Sequence, residues 1–235
     1  YPSKSMQVIP SFMLVYLLMF HDYYHIHGRD ELVEELLPRV GRLLDYLLAH
    51  RENGLLALPG WNFIDWCASW NQGTPPGGEP DSILNWLFAL ALQRLAEVNV
   101  RPGLQECAQE LKRIIHARYY NPEAGLYAID LQKRYYSEHP QVLALLVDPY
   151  APVIPGLRKY ELVQCSIYFS FYYLEACRLC GLDDLAEKRI GRWRALQEEG
   201  LTTFPEEFKN PRSDCHAWSS HILYHLLRQE AAVGS

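Results

Sequence analysis

Residues 199–220 run EGLTTFPEEFKNPRSDCHAWSS. Two carboxylates, Glu206 and Glu207, stand in a loop behind Thr202 and Thr203. A Pro/Asn/Arg/Ser turn follows, and His216 and Trp218 then open a helix expected over 216–229. Pro211 with Ser213 or Asp214 supplies the start signal, a turn residue followed by a side-chain oxygen able to cap free N–H groups. A carboxylate, an imidazole and an indole at one mouth suit sugar chemistry. The acid handles a proton or water, the polar groups grip hydroxyls, and the aromatic face covers the C–H side of a pyranose. The same residues would also serve as a solvated acidic loop before an ordinary surface helix, since charged loop residues are usually hydrated.

Outward from this stretch the pattern is helical. Residues 11–27 form a strongly apolar helix, ended by Gly28, and Asp30 caps the next. Residues 31–51 place Leu32, Leu36, Val40, Leu43, Leu44 and Leu47 at helical spacing, with Pro38 kinking the helix without ending it. Residues 81–99 are apolar nearly all round and predict a buried central helix, whereas 103–120 are apolar on one face. A short helix over 137–148, capped by Ser137, precedes a loop, DPYAPVIPG. Helices over 162–180 and 183–196 complete the set. About eight helices in four hairpins, joined by alternating short and long connections, make the chain all-α.

The longest connection, NGLLALPGWNFIDWCASWNQGTPPGGEP, has no helical period and is rich in Gly, Pro and Trp. Loops of this length are usually functional. Trp61, Phe63, Asp65, Trp66 and Trp70 sit together in it, either plugging one end of the fold or touching a ligand. Asp65 is a candidate for bonding a sugar hydroxyl or for anchoring the tryptophan loop.

The 235 residues are 49% hydrophobic and 13% aromatic, enough for a substantial core. A net charge of −6 with no basic run argues against nucleic acid and anionic membranes as partners. The apolar run 12–20 is far short of the roughly 20 residues that cross a bilayer. Six scattered cysteines, including Cys177 and Cys180 in CRLC, lack a second pair at zinc-finger spacing. Buried, reduced thiols of a cytosolic protein are expected, with neither metal nor cofactor. HDYYH and HILYH carry histidines at i,i+4 without the Glu of the metalloprotease motif, so His21, His25, His221 and His225 are expected to be satisfied structural groups. No nucleophile string of the GxSxG type and no phosphate-cradling glycine loop is present.

TTFPEEF (202–208) followed by SDCHAWSS (213–220) resembles the corresponding segment of bacterial α-L-rhamnosidases, inverting glycoside hydrolases of glycoside hydrolase family 78 type with an (α/α)6 six-hairpin barrel. There the string runs Thr-Thr or Thr-Ser, an aromatic pair, the catalytic base Glu and a His within Cys-His-Ala-Trp-Ser. The resemblance implies that Glu206 is the base and His216 a sugar-binding residue. Pro205 stands where the family usually has Trp. WNFIDW (61–66) resembles the family's WxFxDW segment, whose loop contributes an aromatic to the sugar site. GLLALPGWNF and GLYAID look like the Gly-Leu turns between inner and outer helices of six-hairpin glycosidases.

The reading that follows is the later part of a six-hairpin glycosidase catalytic domain, an incomplete toroid of about four hairpins. Tyr1 begins in the middle of ordered-looking sequence, so a fragment is expected, with a missing N-terminal segment or self-association covering its apolar barrel edges. Inverting hydrolysis needs an acid and a base about 6.5–9.5 Å apart, and no string matches the family's acid. The expected substrate is a terminal rhamnoside, with Glu206 as base, Glu207 as its rival, and Trp61, Asp65, Trp66, His216 and Trp218 as substrate-binding residues. A helix dipole behind His216 would keep its imidazole neutral. The alternatives are a non-catalytic carbohydrate-binding or assembly module, and another (α/α)6 enzyme such as an epimerase or unsaturated glucuronyl hydrolase.

Overall fold

A computed structural model describes residues 7–233, and the side chains of 229–233 lie outside that description. The first two helices, α1 (Pro10–His27) and α2 (Glu31–Ala49), form the expected hairpin across Gly28 and Asp30. The Asp30 carboxylate accepts from Val33 N at 2.9 Å, which makes it the predicted cap. α2 runs on through Pro38 and buries Val33, Val40, Leu44 and Leu47 along one stripe.

The same unit then recurs. α3 (Ser82–Glu97) is buried almost all round, and α4 (Leu104–Tyr119) buries only one face. α5 (Glu138–Val147) is buried from Glu138 to Leu146. α6 (Ile154–Lys159) is a single short helix, followed by α7 (Ser170–Cys180) and α8 (Asp183–Glu198). A 3-10 turn, Ala217–Ser219, leads into α9 (Ile222–Val233). α1 packs on α3, α3 on α5 and α5 on α7, while α4 covers α3 and α8 covers α7. The result is an arc of inner helices backed by outer ones, a toroid-like all-α fold. Nearly all of its buried apolar side chains join in one cluster.

Short hairpins sit between the outer and inner helices. β1 (Arg51–Glu52) pairs antiparallel with β2 (Leu55–Leu56), and β3 (Tyr120–Asn121) with β4 (Leu126–Tyr127). A buried amide from the next inner helix clamps each. Asn85 bonds both the N–H (2.7 Å) and the C=O (3.1 Å) of Leu56. Gln141 does the same for Tyr127, at 2.9 and 2.7 Å. Each clamp satisfies two backbone groups that no sheet ladder reaches. These are the two Gly-Leu turns seen in the sequence.

Three sequence expectations are corrected. Residues 154–159 are helical, where DPYAPVIPG was expected to be a loop. Residues 162–169 are not helical, because their backbone is held by neighbours. Val163 O accepts from Glu138 N, Cys165 N donates to the Glu138 carboxylate at 2.8 Å, and Cys165 O accepts from Arg189 at 3.0 Å. Ser137 makes no side-chain cap; its backbone bridges Val163 instead.

Among the described residues no helix is long and apolar enough to cross a membrane. All six cysteines are free thiols. Three of the four paired histidines are engaged structurally: His21 bonds Asp22 and Glu97, His221 donates to Ile167 O at 2.9 Å, and His225 meets Glu175, whereas His25 is exposed and only stacks on His21 at 6.0 Å between ring centres, against the expectation for it.

Candidate functional site

The stretch 199–216 folds back on itself as two limbs. Glu206 N donates to Ser213 O at 2.8 Å, His216 N to Phe204 O at 2.6 Å, and the Thr203 hydroxyl to Asp214 O. This ribbon, and not a helix, sets His216 beside Glu206. The expected helix start at 213–214 is therefore corrected. Ser213 Oγ accepts from Cys215 N and donates to Cys215 O, a local turn and not a cap, and regular α-helix begins at Ile222. The dipole argument for His216 falls with it, since a three-residue 3-10 turn aligns too few peptides to act as a macrodipole. The Trp193 indole donates to Ser219 O at 3.2 Å and ties the ribbon's exit to α8.

Glu206 is 5% exposed. Its carboxylate receives Arg212 Nε at 3.0 Å and Arg212 Nη2, and its main-chain oxygen accepts the Trp218 indole N–H at 2.9 Å. The hydrogen bond and charge of Arg212 hold the Glu206 carboxyl below the usual range. Glu207, half-buried, goes the other way, pushed up by burial and by the charge of Glu206. Adjacent carboxyls are thus separated in proton affinity, which suits one to remain ionised and the other to hold a proton more readily.

The tryptophan loop reaches the same place. The Arg212 guanidinium lies 5.5 Å from the Trp66 ring centre. Trp66 packs edge-on to Phe63 at 5.0 Å and to Trp61 at 6.2 Å, and the Trp61 indole donates to Gln72 O at 3.1 Å. Gly73 makes this fold of the loop possible. Its φ is +73°, its carbonyl accepts Ile64 N at 2.9 Å, and a Cβ there would stand 2.5 Å from the Phe63 ring. Trp218 stacks on His216 at 4.1 Å between ring centres and meets Tyr168 at 5.2 Å. Trp66, Arg212, Glu206, Trp218 and His216 form one continuous chain of contacts.

Asp65 takes the anchoring role and not that of a hydroxyl ligand. It is 0% exposed, and its oxygens are occupied. Ser166 donates through its N–H (2.8 Å) and its hydroxyl, and His139 Nε2 donates at 2.8 Å. The Cys67 thiol adds a weaker contact at 3.8 Å. Asp65, Cys67 and His139 offer three ligand atoms within 4.8 Å of one another, a spacing a metal ion could span. The donor chemistry is that of a hydrogen-bonded knot: the carboxylate's partners are already present, and burial pushes the thiol well up, away from the thiolate a metal needs. The knot pins the tryptophan loop to α5 and to the start of α7. His139, Ser166 and Arg212 carried no signal that sequence reasoning could use, because each acts through a partner distant in the chain or across a turn.

Open surface clefts lie elsewhere among the described residues. One, about 510 Å³, is lined by Asn121, Glu123, Tyr136, Tyr160 and Glu161. Another, about 420 Å³, runs between α8, residues 200–205 and α9. Glu206 lines neither.

No protein-family model matches the chain, and no curated protein does. Among solved structures, a rhamnosidase from Klebsiella oxytoca with rhamnose bound is similar, with a TM-score of 0.82 and 22% identity. The likeness covers 98% of this chain and 48% of that one, so the chain spans about half the length of its structural relative. At this identity the likeness is one of fold, and it establishes for this chain the toroid-like arrangement of paired helices found in that rhamnosidase.

Proposed function

We propose that the chain carries the water-activating half of an inverting glycoside hydrolase site, acting on terminal α-L-rhamnosides. The observation that supports this most directly is the buried Glu206 carboxylate, bonded by Arg212 whose guanidinium reaches Trp66 of a loop far away in sequence, with Trp218 bonded to the Glu206 main chain and stacked on His216. An ionised carboxylate fixed at a rim of aromatic rings can take a proton from water as that water attacks an anomeric carbon. His216 offers an imidazole for a sugar hydroxyl, and Trp61, half-buried at the edge of the cluster, offers a ring for a pyranose face. The neighbour's rhamnose is the reason for placing a 6-deoxy sugar first in the substrate panel. Inversion also needs a protonated acid facing Glu206, and none of the described residues is assigned that role.

A binding module without turnover is the second reading, favoured by the two hydrogen bonds from Arg212 that already occupy the Glu206 oxygens. p-Nitrophenol release from a panel of p-nitrophenyl glycosides, α-L-rhamnoside included, separates the two. Hydrolysis with inverted product anomer, reduced about 10²–10⁴-fold in Glu206→Gln with the fold intact, supports the enzyme. Near-normal turnover in that variant removes Glu206 from the reaction. Saturable rhamnose binding with no release from any glycoside supports the module.

A further inference from the structure

In the string NPRSD, Arg212 reads as a turn residue, but in the folded chain it touches both loops of the candidate site. Nε and Nη2 meet the two Glu206 oxygens, and the guanidinium lies over Trp66. Its side chain is 71% exposed, against 6% for that of Glu206. A long exposed cation ordinarily gains little from one partner and stays mobile. Here two partners from different loops define its position. A guanidinium fork fixes the plane of a carboxylate, which a lysine ammonium cannot do.

We propose that Arg212 is the positioning residue of the acid loop, setting the plane of the Glu206 carboxylate and tying it through Trp66 to the tryptophan loop. The proposal rests on the reading of Glu206 as the water-activating carboxylate. The ring face of Trp66 that meets Arg212 is not offered to a sugar, so a pyranose entering the site stacks elsewhere. The charged and titratable groups facing Glu206 are Arg212 and Glu207 from its own loop and His216 across the ribbon. Asp65 of the tryptophan loop bears on Glu207.

The test uses the full chain with ¹³C-labelled glutamate carboxyls, followed by NMR against pH in wild type, Arg212→Lys and Arg212→Gln. The Glu206 signal is expected to titrate at higher pH in Arg212→Gln, with Arg212→Lys between, and the Trp66 indole N–H signal is expected to shift in Arg212→Gln. An unchanged Glu206 midpoint in Arg212→Gln overturns the proposal. With hydrolysable substrate, Arg212→Gln is expected to lower kcat roughly tenfold or more, with a smaller change in KM. The acid limb of its pH profile should move with the NMR midpoint. A uniform fall in rate with the acid limb in place also overturns it, since that marks a merely structural contact. An unmoved Glu206 midpoint together with an inactive Glu206→Gln defeats the positioning inference alone. A moved midpoint with Glu206→Gln fully active defeats the hydrolytic reading.

Discussion

Glu138–Arg189 and Glu206–Arg212 are both arginine–carboxylate pairs, and they differ in where the arginine stands. Arg189 is 5% exposed, bonds both Glu138 oxygens, and also reaches Cys165 O and Ser170 Oγ. Its guanidinium lies 4.0 Å from the Tyr173 ring centre, and Glu138 in turn accepts Cys165 N. That pair joins α5, α7 and α8 and holds 162–169 out of helix. Arg212 instead stands in solvent and meets only the carboxylate and one indole. Burying both charges makes a pair that cannot be opened without a large penalty. Burying only the carboxylate makes one that solvent or a ligand can open at small cost.

The sharpest way to break this contrast is to remove one partner from the buried pair. Arg189→Met, leaving Glu138 charged and unpaired, is expected to cost about 3–5 kcal/mol in denaturant unfolding. A cost under about 1 kcal/mol would place the two pairs in the same class. Acid should act next, through Glu175 on α7 and His221 just before α9. Burial brings the His221 pKa down from 6.5 to about 4, so on acidification the unfolded chain protonates first. The stability this residue contributes is present above pH 6.5 and lost between 6.5 and 4, roughly 3 kcal/mol in all. Burial alone would raise Glu175, but the close approach of His225 at 3.5 Å and the hydrogen bond from Arg178 outweigh it and bring it from 4.5 to about 2. Its contribution is lost below pH 4.5. Unfolding midpoints from pH 7 to 3 should therefore fall steadily, and His221→Asn should flatten the upper part of the curve.

Smaller effects sharpen the other side. Trp218→Phe removes the 2.9 Å bond to Glu206 O and should cost about 1 kcal/mol, with faster amide exchange at Glu206 and His216. Equal exchange in both proteins would show that the ribbon does not depend on the indole. Arg212→Gln should change global stability by less than about 1 kcal/mol. A drop comparable to that of Arg189→Met would make Arg212 a structural pillar and erase the contrast.

The helices were legible because burial repeats at helical spacing. Val40, Leu44 and Leu47 mark one face of α2, and the unbroken apolar run of 81–99 marks an inner helix. The Asp30 cap and the Gly-Leu turns were legible because their signals are local. The paired carboxylates of 206–207 and the tryptophan loop stood out by composition, and so did the all-α class. By contrast, 162–169 looks helical and is not, because Glu138 and Arg189 compete for its backbone from other elements. Asp65 could be read as a hydroxyl ligand or as an anchor, and it is buried because Ser166 and His139 come to it across the fold. Sequence alone thus determined the all-α class, most of the long helices and the side-chain types gathered in the two loops, since periodicity and side-chain type are properties of neighbours in the chain. The tertiary structure alone decided which carboxylate is anchored, which is shifted up and which arginine reaches the site, since charge and hydrogen bonding act through space.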